Sequence, residues 1–488
     1  MKLNHLIVGL VLALFMPGLY GCKNDFLTEQ PKDFLSPTNF YQTEADATAA
    51  LIATYSSLRA IYSQNFYFVG DLPSEQTNPG TGNNIDRTNI DNFLFEPTNT
   101  ITTGIWNDSY VTINRANVVI ARLPGISMNA DRKNAIVAEA KFLRALSYFN
   151  LVRIYGGVPL RLQETASLEG LDVARSPVAD VYALIIADLK EAEAALPNQQ
   201  TGATLGRASK GAASALLAYV YLTKKDWANA AAKSQEVIDK ASTYGYSLFT
   251  NPADIWKVEN KNKQEHIFMC QYQAGAEGLG SAYNHFFTSR SANAILVGGS
   301  GFAIHLVEDA FWKSFTAGDA RRDASILSSF TDPKTLKVIS YPSTALAELS
   351  IFKYYDPAPF TRSNNNNNYP LLRFADVLLI NAEALNESAG PNAQAYESVN
   401  KIRRRAKLAD LTAGLTQQQF RDAVLRERSL EFCFESKRYF DLIRTETLIP
   451  VMTAAGKKPL PRNLLFPIPQ REIDINNLIE QADQNPGY

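Results

Sequence analysis

Apolar positions along this chain recur mostly at helical spacing, and two long stretches interrupt that rhythm. From Asp46 to Ile61 the sequence is rich in alanine and poor in breakers, which predicts a helix. Trp106 to Leu123 continues the pattern until Pro124-Gly125 stops it. Beyond Asn129, Ile136, Ala140 and Leu143 recur at steps of four and three, and the run ends at Gly156-Gly157-Val158-Pro159. Its last turns are apolar nearly all round, so the pattern predicts a deeply buried helix end. Val178 to Leu196 predicts a further helix, closed by Pro197. Phe374, Val377, Leu378, Asn381, Ala382 and Leu385 form one helical stripe, and Phe420 to Arg444 predicts another helix.

Some of these helices pair. Leu217, Ala218 and Tyr221 fall on one helix, Lys224-Lys225-Asp226-Trp227 reads as a turn, and Ala230 falls on the next helix. Small residues at that spacing let two antiparallel helices approach closely, as in a tetratricopeptide repeat. A second approximate copy places Ala382 and Ala395 on either side of Gly390-Pro391-Asn392, and Trp106–Leu123 with Asp131–Tyr155 supplies another pair. The reading is a mainly α protein: a tetratricopeptide-like helical-repeat scaffold (an α-α superhelix) with irregular, loop-rich insertions and a few short strands.

The interruptions are residues Asn65–Thr103, with Pro73, Pro79, Gly80 and Gly82, and Tyr246–Tyr369, with six glycines between Gly275 and Gly301. Loops of that length are commonly functional. The second stretch holds the β-prone piece His266-Ile267-Phe268-Met269 and ends in Asn364–Asn368, a low-complexity run that reads as a flexible loop.

The N-terminus changes the address of the molecule. Met1-Lys2 precedes an apolar run, Leu6–Phe15, too short to span a bilayer, and Leu19-Tyr20-Gly21-Cys22 follows. A small residue directly before cysteine, with leucine three positions ahead of it, resembles a bacterial lipobox. That implies cleavage before Cys22 and lipidation of Cys22; an ordinary signal peptide cut elsewhere is the alternative. Each buried acyl methylene contributes about 0.8 kcal/mol, so several chains anchor stably. The expected organisation is a signal peptide at 1–21 and a lipidated leader at 22–42. An N-terminal helical half at 43–245, a loop-rich insertion at 246–369 and a C-terminal helical half and tail at 370–488 follow.

Composition narrows the function. The 488 residues carry 48 Lys and Arg against 49 Asp and Glu, a net charge of −1, which lacks the basic excess that captures nucleic acid. Hydrophobic residues at 46% and charged at 20% suit an ordered globular protein. Four histidines, scattered as His5, His266, His285 and His305, offer no metal-ligand spacing. No nucleophile elbow or phosphate loop is present. A two-carboxylate glycosidase pair is spatial and leaves no spacing to read, so it stays open at this level. Cys433, in the apolar stretch Leu430–Phe434, reads as a buried free thiol. Glu427, Glu431 and Glu435 with Arg438, Asp441 and Arg444 read as a charged ladder on one helix, a structural ion network rather than an acidic active site.

Four blocks carry a family resemblance. The first runs from Phe142-Leu143-Arg144-Ala145 to Tyr155-Gly156-Gly157-Val158-Pro159-Leu160. The second is Tyr369-Pro370-Leu371-Leu372-Arg373-Phe374-Ala375-Asp376 through Ala384, with Asn400-Lys401-Ile402-Arg403-Arg404-Arg405-Ala406. The third is Glu427-Arg428-Ser429-Leu430-Glu431-Phe432, leading to Arg438-Tyr439-Phe440-Asp441. The fourth is Leu465-Phe466-Pro467-Ile468-Pro469, ending in Gln484-Asn485-Pro486-Gly487-Tyr488. Together, and in this order, they resemble the SusD/RagB family of outer-membrane nutrient-uptake lipoproteins. The resemblance implies a helical scaffold; the residues themselves show no catalytic or metal-ligand motif, so a binding protein rather than an enzyme, with no cofactor, is expected. The resemblance implies a lipid anchor in the outer membrane with exposure on the cell surface. It also implies a partner, a SusC-like TonB-dependent barrel, to which glycans, or in some members peptides, are handed.

Sugar C–H faces pack on aromatic rings while hydroxyls bond to amides and charged groups, so the 26 Phe, 22 Tyr and 4 Trp gain interest. Loops on a rigid scaffold usually carry recognition. The candidate ligand-binding residues are therefore Asn65, Tyr67, Asp71 and Arg87 in the first irregular stretch, and Tyr283, His285 and Trp312 in the second. Core packing is the competing reading for Tyr67, within Phe66-Tyr67-Phe68, and for Trp312. None of the seven lies in a family block.

Overall fold

The computed structural model describes residues 40–488, apart from 81, 83, 168, 293–295, 298–300, 333 and 358–362. Cys22, the signal segment and most of the leader lie outside the described residues. The helices that build the scaffold are α1 (Glu44–Tyr62), α2 (Asn65–Asp71), α3 (Ile85–Asp91), α4 (Thr100–Arg122), α5 (Ala130–Tyr155), α6 (Val178–Ala195), α7 (Lys210–Thr223), α8 (Trp227–Asp239), α9 (Phe374–Ala389), α10 (Ala393–Arg405), α11 (Gln417–Glu431) and α12 (Arg438–Arg444).

Local chemistry sets many of their ends. The Thr43 hydroxyl and the Asp46 carboxylate cap one another's backbone at the start of α1. Asn129, Ser209, Asp226 and Asn392 each accept a backbone N–H in the first turn of α5, α7, α8 and α10. Gly156 ends α5 at φ 74°.

Each helix packs on the next as a solenoid should: α1 on α4, α4 on α5, α5 on α6, α6 on α7, α7 on α8. The next layer is α9, which packs on α8 although residues 240–373 intervene, and α9 in turn carries α10 and α11. Ala218 and Ala230, and likewise Ala382 and Ala395, are fully buried where helices meet closely. The strand pairs are short. β2 (His266–Cys270) pairs antiparallel with β4 (Tyr369–Arg373), Tyr369 opposite Cys270, and β1 (Thr77–Asn78) pairs with β3 (Leu306–Val307).

Three expectations change. The stretch Asn65–Thr103 is not one loop: it folds into α2, α3 and the first turns of α4, whose cap Asn99 accepts the N–H of Ile101 at 3.0 Å. The phenylalanines and tyrosine of α2 are buried, and that burial outweighs the local Gly and Pro signals.

Phe420–Arg444 is not one helix either. α11 ends at Glu431, and Phe434 (φ 65°) and Ser436 (φ 55°) turn the chain into α12. The turn is held from outside, where the Ser436 N–H donates to Asp71 Oδ1 at 3.0 Å. Gly70 makes room for it: a Cβ there would lie 2.4 Å from the Ser436 Cβ.

Asn364–Asn368 is ordered by its own amides. Asn365 exchanges both backbone hydrogen bonds with Ser281 at 2.9 Å. Asn366 Oδ1 accepts from Ala274 N at 3.0 Å, and Asn368 Oδ1 accepts from Tyr272 N at 2.8 Å. Asparagine side chains imitate peptide groups, so a run that composition marks as loop becomes a hydrogen-bonded seam.

Candidate functional site

The two irregular stretches meet. β1 and β3 join them, and the Glu308 N–H donates to Gln76 O at 2.9 Å just beyond. Gln76 is itself pinned: its Nε2 donates to Ser429 O and Ser429 Oγ, each at 3.0 Å, so the scaffold fixes the joint. Gly80 (φ 64°) lies against the Ala303 backbone, where a Cβ would come within 2.0 Å of the carbonyl oxygen. Asn84 caps α3 by accepting Arg87 N at 3.0 Å, and Arg87 Nη1 donates across to Ile304 O at 3.1 Å. The same guanidinium lies 5.6 Å from the centre of the Phe68 ring. Phe286 and Phe302 are half-buried with ring centroids 5.5 Å apart, and the Ile304 N–H, beside the carbonyl that Arg87 holds, donates to Phe286 O at 3.1 Å.

The seven sequence candidates divide. Tyr67 and Asp71 are 1% exposed, and Tyr283 and His285 are 0% exposed, so these four belong to the interior rather than to an outer face. Tyr67 is ringed by Phe68, Tyr283, Phe287 and His305. Burial pushes the Asp71 carboxyl well above the usual carboxylate range while it accepts from Ser436. The Tyr283 hydroxyl donates to the Tyr62 carbonyl, and His285 Nδ1 lies 2.9 Å from Asn365 Oδ1. Desolvation explains the correction: rings in a glycine-rich stretch look available in sequence, but here they close the core between scaffold and insertion.

The other three retain access in differing degree. Arg87 is largely buried at the joint, 8% exposed, and Asn65 is partly exposed beside Gly104 of α4. Trp312 is half-buried, edge-on to Tyr341 with centroids 5.4 Å apart, and Arg322 lies 5.9 Å from its ring. Sequence reasoning missed Phe286 and Phe302. Phe286-Phe287 sits on the short helix Tyr283–Phe287, and only the roll of that helix decides which of two adjacent rings faces in.

The acidic ladder becomes a buried ion network drawn from several elements. Arg373, ending β4, bonds to Glu265 at 2.5 Å, Glu431 at 2.9 Å and Glu435 at 2.8 Å. Arg405 joins Glu265 at 2.8 Å and Glu431 at 2.5 Å, Arg321 joins Glu427 at 2.5 Å, and Lys353 joins Glu435 at 2.7 Å. Arg428 and Arg444 share Asp441. Glu435 sits in the turn after α11, so the ladder is not helical, and the basic partners of its glutamates come from 321, 353, 373, 403 and 405.

Cys270 and Cys433 are buried free thiols, pushed by burial to about 12 and about 11. Burial takes His305 down to about 3, with Arg87 adding to the effect. Among the described residues no cluster of His, Cys, Asp and Glu could hold a metal ion, and no helix is long and apolar enough to cross a membrane.

Scaffold and joint together define a helical-repeat protein that holds an irregular, ring-bearing face on a rigid support. The chain belongs to the SusD family. Residues 340–488 match the family model described as "SusD family", and residues 25–222 match one described as "Starch-binding associating with outer membrane". SusD-like protein P2 of Formosa agariphila is 30% identical over 96% of this chain and 97% of its own length. The starch-binding protein SusD of Bacteroides thetaiotaomicron is 24% identical over 63% of each chain. Among solved structures, a laminarin-binding SusD-like protein superposes with a TM-score of 0.79 at 28% identity, covering 92% of this chain and 100% of its own.

Proposed function

We propose that this chain is a lipid-anchored, surface-exposed binding protein of the outer membrane. It captures oligosaccharides or polysaccharides and delivers them to a SusC-like TonB-dependent barrel. The observation that carries the reading is end-to-end similarity, at 30% and 28% identity, to SusD-like proteins, one of them a laminarin-binding protein. The joint supports it, since half-buried Phe286 and Phe302 offer apolar platforms held through Ile304 to Arg87.

Binding without turnover fits the carboxylates as well. Glu265, Glu427, Glu431 and Glu435 are buried and paired with arginine or lysine, which leaves them unsuited to proton transfer to a bound sugar. Residues 1–21 are the signal segment, Cys22 carries the lipid, and 22–42 tethers the body to the membrane.

Affinity electrophoresis of the protein against a polysaccharide panel, laminarin and starch included, tests the reading. Saturable retardation without released reducing ends is expected. Retardation by none of them, together with peptide co-purifying in native mass spectra, replaces glycan with peptide as the cargo. Reducing ends released by the purified protein overturn the binding-only role. Co-purification with a TonB-dependent barrel from membranes tests the partnership.

A further inference from the structure

Away from the joint, a groove of about 690 Å³ opens between the segment after α8 and the end of the insertion. That volume falls in the range of roughly 300–1,000 Å³ typical of ligand clefts. Trp256 lies on one side, at the end of a short 3₁₀ helix (Pro252–Trp256). Phe352 and Tyr355 line the groove as well, near-parallel at 18° with centroids 4.9 Å apart. All three rings are half-buried. The Trp256 indole N–H and the Tyr355 hydroxyl make no hydrogen bond among the described residues, although both belong to groove-lining side chains.

The platform is rigid from beneath. Lys353 Nζ lies 4.6 Å and Arg373 Cζ 5.5 Å from the Trp256 ring centre, so the buried ion network forms its bed. The wall carries charges of both signs: exposed Lys257 and Lys407, exposed Glu259 and Asp323, and buried Asp356, whose carboxylate accepts from Asn366 N at 3.0 Å. A fixed aromatic platform with free donors and no cationic excess suits a ligand with flat C–H faces, many hydroxyls and no anionic groups.

We propose that the Trp256–Phe352–Tyr355 groove is a second binding site, and that it takes a neutral oligosaccharide chain. The assignment rests on the glycan-binding reading and adds a separate locus to it. The test measures retardation by laminarin, starch and the anionic polygalacturonate for the full mature protein, Trp256→Ala, Tyr355→Ala and the joint variant Phe302→Ala. Melting curves establish that each variant folds. Intrinsic fluorescence is followed with laminarihexaose and maltohexaose, using Trp256→Phe and, as control, Trp227→Phe on α8.

With a neutral polysaccharide that retards the native protein, Trp256→Ala and Tyr355→Ala each weaken retardation at least several-fold. The ligand-induced fluorescence change disappears in Trp256→Phe and persists in Trp227→Phe. Should Trp256→Ala fail to fold, Tyr355→Ala and the fluorescence of Trp256→Phe decide the matter. Native retardation that both folded groove variants retain overturns the groove and leaves the glycan-binding reading standing. Absence of retardation of the native protein by every polysaccharide overturns both. Stronger retardation by polygalacturonate than by the neutral polymers overturns the neutral-ligand assignment.

Discussion

Arg373 grips Glu435 with two parallel hydrogen bonds, Nε to Oε2 at 2.9 Å and Nη2 to Oε1 at 2.8 Å, and both side chains are wholly buried. Through this pair β4, the start of α9 and the turn between α11 and α12 are tied to one point. Buried ion pairs gain little over well-packed apolar groups, but a buried charge left alone is costly. Arg373→Met strands Glu265, Glu431 and Glu435 together. A loss of at least about 3–5 kcal/mol is expected, measured as the shift in a urea unfolding midpoint at constant slope. Arg404→Ala, at a half-exposed pair with Asp410, should leave that midpoint where it is.

The same network sets an acid limit. Burial alone would raise the Glu435 carboxyl, but Arg373 and Lys353 outweigh it and hold it at about 2. Asp441 is likewise held at about 2 by Arg428 and Arg444 against burial. A carboxyl with a depressed folded value stabilises the fold above its unfolded pKa and loses that contribution as pH falls through the folded value. Stability should therefore hold above about pH 5 and decline steadily towards about pH 2. Melting temperatures across that window check it; a flat profile would show that these carboxyls are not held low.

Gly70 is needed because Ser436 fills the space beside it. Gly70→Ala forces the turn after Glu431 outward and should cost about 1–3 kcal/mol, as overpacking of a tight core does. The Tm reads the loss, and a Tm equal to that of the native protein would contradict the close approach.

Tyr283 separates core from site. Its ring stacks on Phe287 at 9° and meets Tyr272, Tyr354 and Tyr369. Tyr283→Ala should cost about 3–5 kcal/mol, as truncation of a buried aromatic does. The folded fraction should keep its polysaccharide retardation. Lost binding at unchanged Tm would instead return Tyr283 to the ligand face.

Cys22→Ala should abolish acylation, read by labelled palmitate incorporation in cells. Unchanged incorporation would refute the anchor.

Regular periodicity made the scaffold legible. Ile136, Ala140 and Leu143 declared α5, and Ala218 with Ala230 declared the close pair α7–α8, because the helical repeat writes burial into the sequence at fixed steps. The helix start after Asn129 was equally legible, and the Asn129 side chain caps α5 there. The charges of Glu427, Glu431 and Glu435 could be read as structural from their density beside apolar neighbours. What could not be read is which distant residues answer them. Their partners Arg321, Lys353, Arg373 and Arg405 enter from the insertion, a strand and α10, and no local spacing encodes those pairings.

The site follows the same division. By itself the sequence determined the helical scaffold and the family blocks, since each depends on neighbours along the chain. Only the tertiary structure decided that α9 follows α8 across the insertion, that Tyr67, Asp71, Tyr283 and His285 lie inside, and that Phe286, Phe302 and Trp256 keep an outer surface. The exposure of a ring outside regular helix depends on what the rest of the chain places over it, and that is a property of long-range packing rather than of local order.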